Sequence, residues 1–211
     1  MTVIISSVFL ANVASGESEA AELWDAITER QLADWEGEWL PELFKAMQRL
    51  RRAGIERKHW PQSRHWDWRK KTASLQGMLA NPGFSIVCAG LTQGMMLVNT
   101  TLKRCRLDSQ KGKHLVYVLF VENAPWNRKE LFDPPRYRGV GTTLIRAAIE
   151  LSKQEEFKGR IGLHSLPQSN GFYANVCGME DLGVDQDYEG LRYFEMTPEQ
   201  AEAFIAKGGV S

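Results

Sequence analysis

Hydrophobic positions in the middle of the chain follow two periods in succession. Residues 115–122 form a continuous run rich in β-branched and aromatic side chains, which is typical of a buried strand. Further on, a turn containing Gly139 and Gly141 leads directly into a segment with the pattern of an amphipathic helix. A connection of about a dozen residues with three prolines lies between them and predicts a stiff, extended loop.

The apolar runs on either side of this segment predict a mixed sheet. Residues 84–91 and 95–102 are two strands joined by a turn at residues 92–94, and the next strand is the run ending at Glu122. Only then does the chain cross over through a helix, so the following strand, residues 160–166, is expected to run parallel to its neighbour. The remaining strand order is antiparallel.

The two ends of the chain add one strand each and most of the helices. A first strand is predicted near residues 3–10, and residues 191–196 form the last one. Residues 16–53 have apolar side chains at three- and four-residue steps, which predicts one or two amphipathic helices, with Pro41 opening the second. Residues 197–200 form a capping box that starts a closing helix.

The predicted fold is therefore an α/β (α+β) domain with a mixed, mostly antiparallel sheet of six to seven strands flanked by helices. Its length and 43% hydrophobic content suit one domain, residues 1–211, with residues 16–82 as an enlarged N-terminal helical and aromatic part.

Charge and cysteine content narrow the class of protein. The formal net charge is zero, so nucleic acid and membrane are not expected as partners on global electrostatic grounds. No run reaches the roughly 18 apolar residues of a membrane span. Cys88, Cys105 and Cys177 are widely spaced, as reduced thiols in a cytoplasmic protein are.

The glycine turn before the central helix has the chemistry of an anion site. Glycines allow close backbone approach, and the first turn of a helix offers unpaired N–H groups at the positive end of its dipole. Arg136 and Arg138 add positive charge. A mononucleotide P-loop is excluded because no lysine follows Gly141, and a dinucleotide loop because Leu144 stands where a third glycine is needed.

The spacing Arg136-x-x-Gly139-x-Gly141 resembles the acyl-CoA loop of the Gcn5-related N-acetyltransferases. The resemblance implies that the loop binds the pyrophosphate of acetyl-CoA while the pantetheine arm pairs with the end of the preceding strand. The residues implied to bind the cofactor are Val121, Asn123, Ala124, Arg136, Arg138, Gly139, Val140, Gly141 and Thr142.

Downstream residues extend the resemblance to a catalytic site. Phe172-Tyr173 and Gly178-Met179 are similar to two conserved pairs of the family, which implies that Tyr173 is the catalytic acid. Four residues separate Tyr173 from Gly178 where the family has three, and Leu166 replaces a common asparagine. Glu122 is the candidate base and His164 the alternative, since an alkyl amine with a pKa near ~10 gains from a base.

A tryptophan-rich basic stretch, residues 57–71, leaves several interpretations open. It contains three Trp, two His and six basic residues. Structural packing is the first interpretation, and lining of the acceptor site by Trp66 and Trp68, together with Trp126, is the second. A nucleic-acid surface and a metal site are weaker, because the chain is neutral and His59, His65 and Asp67 lack a regular ligand spacing.

We therefore expect an N-acetyltransferase that moves an acetyl group from acetyl-CoA to a primary amine by direct attack, without a metal. The alternative is a non-catalytic CoA-binding or regulatory module on the same fold. The identity of the amine does not follow from the sequence, and a homodimer is one option for its assembly.

Overall fold

The computed structural model describes residues 2–75 and 77–207. Its strands are β1 (Ile5–Asn12), β2 (Ser18–Trp24), β3 (Gly83–Cys88), β4 (Leu91–Asn99), β5 (Val116–Asn123), β6 (Tyr137–Arg138), β7 (Ile161–Ser165), β8 (Glu180–Asp185) and β9 (Leu191–Met196). Its α-helices are α1 (Glu29–Asp34), α2 (Leu40–Arg52), α3 (Trp68–Leu75), α4 (Val140–Gln154) and α5 (Pro198–Lys207). The predicted domain, residues 1–211, includes Met1, Gln76 and residues 208–211, which lie outside the described residues.

The strands form one mixed sheet in the order β6-β1-β2-β3-β4-β5-β7-β9-β8. The pairs β1–β2, β1–β6, β2–β3, β7–β9 and β8–β9 are antiparallel, and β5 and β7 are parallel, as the crossover through α4 predicts. The described part of the chain thus has nine strands rather than the predicted six to seven. The strands not among those identified above are β2, β6 and β8.

The strand β2 overturns the start of the enlarged N-terminal helical region predicted for residues 16–82. Its sequence, SEAAELW, contains good helix formers, yet it pairs with β1 from Ala11↔Ser18 to Ile5↔Trp24. The hairpin satisfies the backbone of both strands and buries Leu10 and Ala21. Tertiary pairing therefore overrides the local helix propensity here.

Helix begins only at Glu29, after a capping box in which Thr28 and Gln31 bond each other's backbone N–H groups. From α1 the helical path continues through a π-helical turn at Trp35–Trp39 into α2. Pro41 lies in the first turn of α2, where its missing N–H is tolerated. Trp35 and Trp39 of the predicted apolar pattern are buried, whereas Phe44 is exposed.

The turn between β3 and β4 lies earlier than predicted. Ala89 and Gly90 have φ angles of 49° and 78°, as the two central residues of a tight hairpin turn require. Thr92, Gln93 and Gly94, predicted as the turn, therefore lie inside β4.

The chain divides into two compact units. Unit 1 consists of Met1–Met78, Pro82–Met96 and Val121–Leu144, and unit 2 of Leu79–Asn81, Leu97–Phe120 and Ile145–Ser211. Unit 1 contains the segment of residues 136–141, called the glycine loop below, together with the end of β5 and the tryptophan-rich stretch. None of the described helices is long and apolar enough to cross a membrane.

Candidate functional site

The glycine loop of unit 1 ends in a helix start with free amides. Gly139 adopts a φ of 94°, and the N–H of Thr143 donates to the Gly139 carbonyl at 2.8 Å in the first helical bond of α4. The amide groups that precede Thr143 in this turn therefore have no carbonyl acceptor within the helix. Gly139 is exposed, and so are Arg136 and Arg138. The arrangement suits an anion at the positive end of the helix dipole.

Replacing Gly139 by alanine is expected to weaken CoA binding several-fold. A left-handed φ costs a residue with a Cβ about 1 kcal/mol, so the loop is expected to relax to another φ, which changes the direction of its amide groups. Isothermal titration calorimetry with CoA measures the change. Gly112→Ala is the matched control: Gly112 also has a positive φ, 77°, with nothing near its Cβ position, but lies in unit 2. Equal CoA affinity in both variants would contradict the assignment of the loop.

A buried glutamine, Gln93 of β4, fixes the chain that leads to this loop. Its side chain is fully buried, and its Nε2 donates to the carbonyls of Cys88 and Leu91, both at 3.1 Å. Its Oε1 accepts from Trp126 Nε1 at 2.8 Å and from Asn127 Nδ2 at 2.9 Å. All the capacity of the amide is used within the fold, so Gln93 anchors the segment after β5.

The same segment holds the glycine loop in place. Asn127 Oδ1 accepts from the Tyr137 N–H at 3.0 Å, and the Arg136 N–H donates to the Trp126 carbonyl at 2.8 Å. The Arg136 guanidinium lies 5.2 Å from the Trp126 ring centroid. Trp126, predicted to line the substrate site, is thus a buried side chain bonded to Gln93. Sequence reasoning missed Gln93 and Asn127; the only signal was a glutamine inside an apolar run.

Glu122, at the end of β5, is the buried acid of unit 1. Its Oε2 accepts from Trp68 Nε1 at 2.7 Å, and its Oε1 lies 3.3 Å from Arg128 Nη1. Arg128 also donates to Ser63 Oγ at 2.9 Å. Only 8% of the Glu122 side chain is exposed. Burial raises the pKa of Glu122 above its ordinary value, against the opposing effects of Arg128 and of the hydrogen bonds from Ser63 and Trp68.

Trp68 joins the tryptophan-rich stretch to this carboxylate, and Trp66 packs against Trp68. Trp68 is fully buried and its ring lies edge-on to Trp66, with 6.5 Å between centroids. The Lys71 Nζ lies 4.8 Å from the Trp66 centroid. Burial lowers the pKa of Lys71, while the charges of Glu122 and Asp67 oppose the shift. Burial thus acts on the two groups in opposite directions, raising the pKa of Glu122 and lowering that of Lys71.

Tyr173 lies in unit 2, on a π-helical turn at Phe172–Val176. The Cys177 N–H donates to the Phe172 carbonyl at 3.0 Å, a bond that spans five residues instead of four. This wider turn takes up the additional residue between Tyr173 and Gly178. Burial raises the pKa of Tyr173, whose ring packs near Phe172 and Phe194. The phenol is therefore protonated at neutral pH, as an acid must be.

His164, on β7 of unit 2, has both ring nitrogens engaged. Nε2 lies 2.9 Å from Asp185 Oδ2 and Nδ1 lies 2.6 Å from the Tyr117 hydroxyl. Because the carboxylate only accepts, Nε2 carries the proton and Nδ1 accepts from Tyr117. Tyr188 stacks on the ring with 3.8 Å between centroids. Burial lowers the pKa of His164, opposed by Asp185, so the histidine is a neutral part of this network.

Comparison with solved structures identifies the fold of the chain. No protein-family model matches the chain, and no curated protein matches it. Among solved structures, Mycobacterium smegmatis RimJ in complex with CoA-disulfide is similar at 14% identity and a TM-score of 0.52, covering 98% of this chain and 95% of RimJ. The GNAT domain of S. lividans PAT is similar at 13% identity and a TM-score of 0.51, covering 91% of this chain and 96% of that domain. The chain has the fold of the Gcn5-related N-acetyltransferases.

On this acetyltransferase fold, unit 1 contains the predicted cofactor residues, Glu122 and all three predicted substrate tryptophans, whereas Tyr173 and His164 belong to unit 2. Structure therefore gathers Glu122 with Trp66 and Trp68 in one cluster. No group of three or more His, Cys, Asp or Glu that could hold a metal ion occurs among residues 2–75 and 77–207.

Proposed function

We propose that this protein transfers an acetyl group from acetyl-CoA to a primary amine by direct attack of the amine on the thioester. The observation that carries the proposal is the buried Glu122, with a raised pKa, at the end of β5 in the unit that holds the glycine loop. The Gcn5-related fold supports it, as does the complex of RimJ with CoA-disulfide.

The glycine loop and Arg136 hold the pyrophosphate in this proposal, and residues 121–124 of β5 and beyond pair with the pantetheine arm. Successive N–H groups of a strand point to opposite edges. The Ala124 N–H donates to the Gln93 carbonyl at 2.9 Å, so the N–H of Asn123 points to the other edge. We assign to the Asn123 N–H the stabilisation of the oxyanion that forms on the thioester carbonyl.

Glu122 takes a proton from the bound ammonium, directly or through Lys71, and the neutral amine then attacks the thioester carbonyl carbon and forms the carbon–nitrogen bond. As the carbon–sulfur bond of this tetrahedral intermediate breaks, the nitrogen releases its second proton through solvent, which restores the proton that the acid gives to the thiolate. Tyr173 donates its proton to the departing thiolate. His164 is the alternative to Glu122 as the base. Trp66 and Trp68 line the amine site. We place the reaction in the cytoplasm, consistent with the three free cysteines of the described chain.

Binding and turnover test this proposal separately. Calorimetry with CoA establishes the cofactor, and release of free thiol from acetyl-CoA against a panel of amines establishes the reaction. Tyr173→Phe is expected to lower kcat about tenfold with CoA affinity unchanged, a small effect because a thiolate with a pKa near ~8.5 needs little help from an acid. CoA binding without turnover against any amine would favour the non-catalytic CoA-binding module, which the unusual Tyr173–Gly178 spacing motivates.

A further inference from the structure

Charge is segregated along this neutral chain. Residues 45–71 carry ten Lys and Arg against two Asp and Glu, whereas the rest of the sequence carries sixteen against twenty-four. The neutral total therefore hides a cationic segment, which extends from α2 to the first turn of α3 within unit 1. Neutrality of a whole protein does not exclude a local field strong enough to attract an anionic partner.

Three of the four lysines of this segment form ion pairs with carboxylates, whereas, in the part of the chain that the structure describes, five of its arginines do not. Lys45, Lys58 and Lys70 form ion pairs with Glu42, Glu56 and Asp67, and Arg69 bridges Glu29 and Glu36. Among the described residues, no carboxylate pairs with five exposed arginines. We call them the arginine patch, and they are Arg49, Arg51, Arg52, Arg57 and Arg64.

Aromatic rings and a backbone carbonyl, rather than acids, contact three members of the arginine patch. The Arg57 guanidinium lies 5.8 Å from the Trp60 centroid, and Trp60 Nε1 is fixed by a 2.9 Å bond to the Ile55 carbonyl. Arg49 lies 4.9 Å from the Phe132 centroid, and Arg64 Nη1 donates to the Pro61 carbonyl at 3.1 Å. These contacts orient three of the five guanidinium groups without cancelling their charge.

We propose that the arginine patch binds the phosphodiester backbone of a nucleic acid. Arginine offers a planar fork of donors that matches phosphate, and the unpaired cations of this surface are all arginines. Aromatic rings among them, including Phe44 at 58% exposure, suit stacking by bases of a single strand. This function is separate from acetyl transfer and does not depend on it.

Fluorescence anisotropy with a labelled single-stranded RNA tests the surface, with the full chain and salt varied between about 50 and 200 mM. The triple variant Arg51→Gln/Arg52→Gln/Arg57→Gln removes three cations from the patch. We expect at least tenfold weaker binding and a salt slope smaller by about 2, since each phosphate contact contributes about 0.7. Circular dichroism verifies that the variant folds.

The matched control, Arg104→Gln/Lys111→Gln/Lys113→Gln, removes the same charge from an exposed basic group in unit 2. It is expected to change the RNA affinity less than twofold. Absence of salt-dependent binding by the wild type, or an equal loss in both triple variants, would overturn the proposal. Equally tight binding of labelled poly-glutamate would overturn it too, by showing a surface for carboxylates.

Discussion

Replacing Glu122 by glutamine is expected to lower kcat of acetyl transfer about 100-fold while leaving the affinity for CoA unchanged. A positioned general base contributes about 10²- to 10⁴-fold to a proton transfer, and glutamine lacks a basic oxygen. The amide keeps the shape of the side chain and can still accept from Trp68 Nε1, now 2.7 Å from the carboxylate. Steady-state kinetics with acetyl-CoA and the best amine of the panel measure the loss.

The role of Glu122 as a base also predicts the direction in which activity changes with pH. A base acts in its deprotonated form, so activity falls as the pH drops through the pKa of Glu122. Burial raises that pKa above the ordinary 4.5, so the acid limb of kcat/KM lies at a higher pH than an exposed glutamate would give. In Glu122→Gln this limb is expected to disappear from the profile.

Glu130→Gln is the matched control for Glu122→Gln. Glu130 bonds the same arginine, with Glu130 Oε1 2.8 Å from Arg128 Nη2, but its side chain is 42% exposed. Its loss changes the charge beside Arg128 without removing the buried base, and kcat is expected to stay within a factor of two to three of the wild type. An acid limb that survives in Glu122→Gln, or equal losses in both variants, would assign the base elsewhere.

Local signals made the central part of the fold predictable. The strand ending at Glu122, the glycine turn and α4 each follow from side-chain periodicity and helix-start chemistry within a few residues. The parallel placement of β7 then follows from the crossover rule. The glycine turn and the helix start that follows it could therefore be deduced from the sequence alone.

The missed features depend on residues far apart in the chain. The two-residue strand β6 exists only because Tyr137 and Arg138 pair with β1, more than a hundred residues earlier. The sequence identified Trp68 and Glu122 as separate candidates, but the hydrogen bond between them, across 54 positions, could not be predicted from it. Nor could the contact of Arg128 with Glu122. Such contacts follow from the packed sheet and leave no local periodicity.

Gln93 shows how a polar residue in an apolar run can mislead. Its neighbours Thr92 and Gly94 made a turn plausible, since threonine, glutamine and glycine break a hydrophobic pattern. In the fold, Gln93 is buried because each amide atom has a partner, and burial of a satisfied amide is tolerated inside a strand. The polar position therefore marked an anchor for the glycine loop rather than a break in the strand.

Adding a single methyl group at Gly94 is expected to destabilise the protein by about 1–3 kcal/mol, the usual result of overpacking a filled site. A Cβ at Gly94 would lie 2.6 Å from Val140 Cγ1, 3.0 Å from Leu144 Cδ1 and 3.5 Å from Asn123 Oδ1. The first turn of α4 thus rests directly on β4. Gly94→Ala must displace Val140, which begins the helix whose first amides are the proposed anion site, so CoA binding is expected to weaken with stability.

A double variant separates this contact from a general loss of packing. Val140→Ala removes the Cγ1 atom that meets the new methyl group, so Gly94→Ala/Val140→Ala is expected to be more stable than the sum of the two single changes predicts. Gly37→Ala is the control, because nothing lies within 4 Å of its Cβ position and its φ is not in the left-handed region. Alanine there favours the helix by about 1 kcal/mol.

Urea unfolding measures the stability of the four variants, and calorimetry measures their affinity for CoA. If the double variant recovers both stability and CoA affinity relative to Gly94→Ala, the contact of β4 with Val140 sets the position of the loop. Additive losses in stability, with CoA affinity unchanged in all variants, would show that the start of α4 is positioned by other contacts. Gly94 would then matter only for packing, and the contacts of Gln93 would fix the position of the glycine loop.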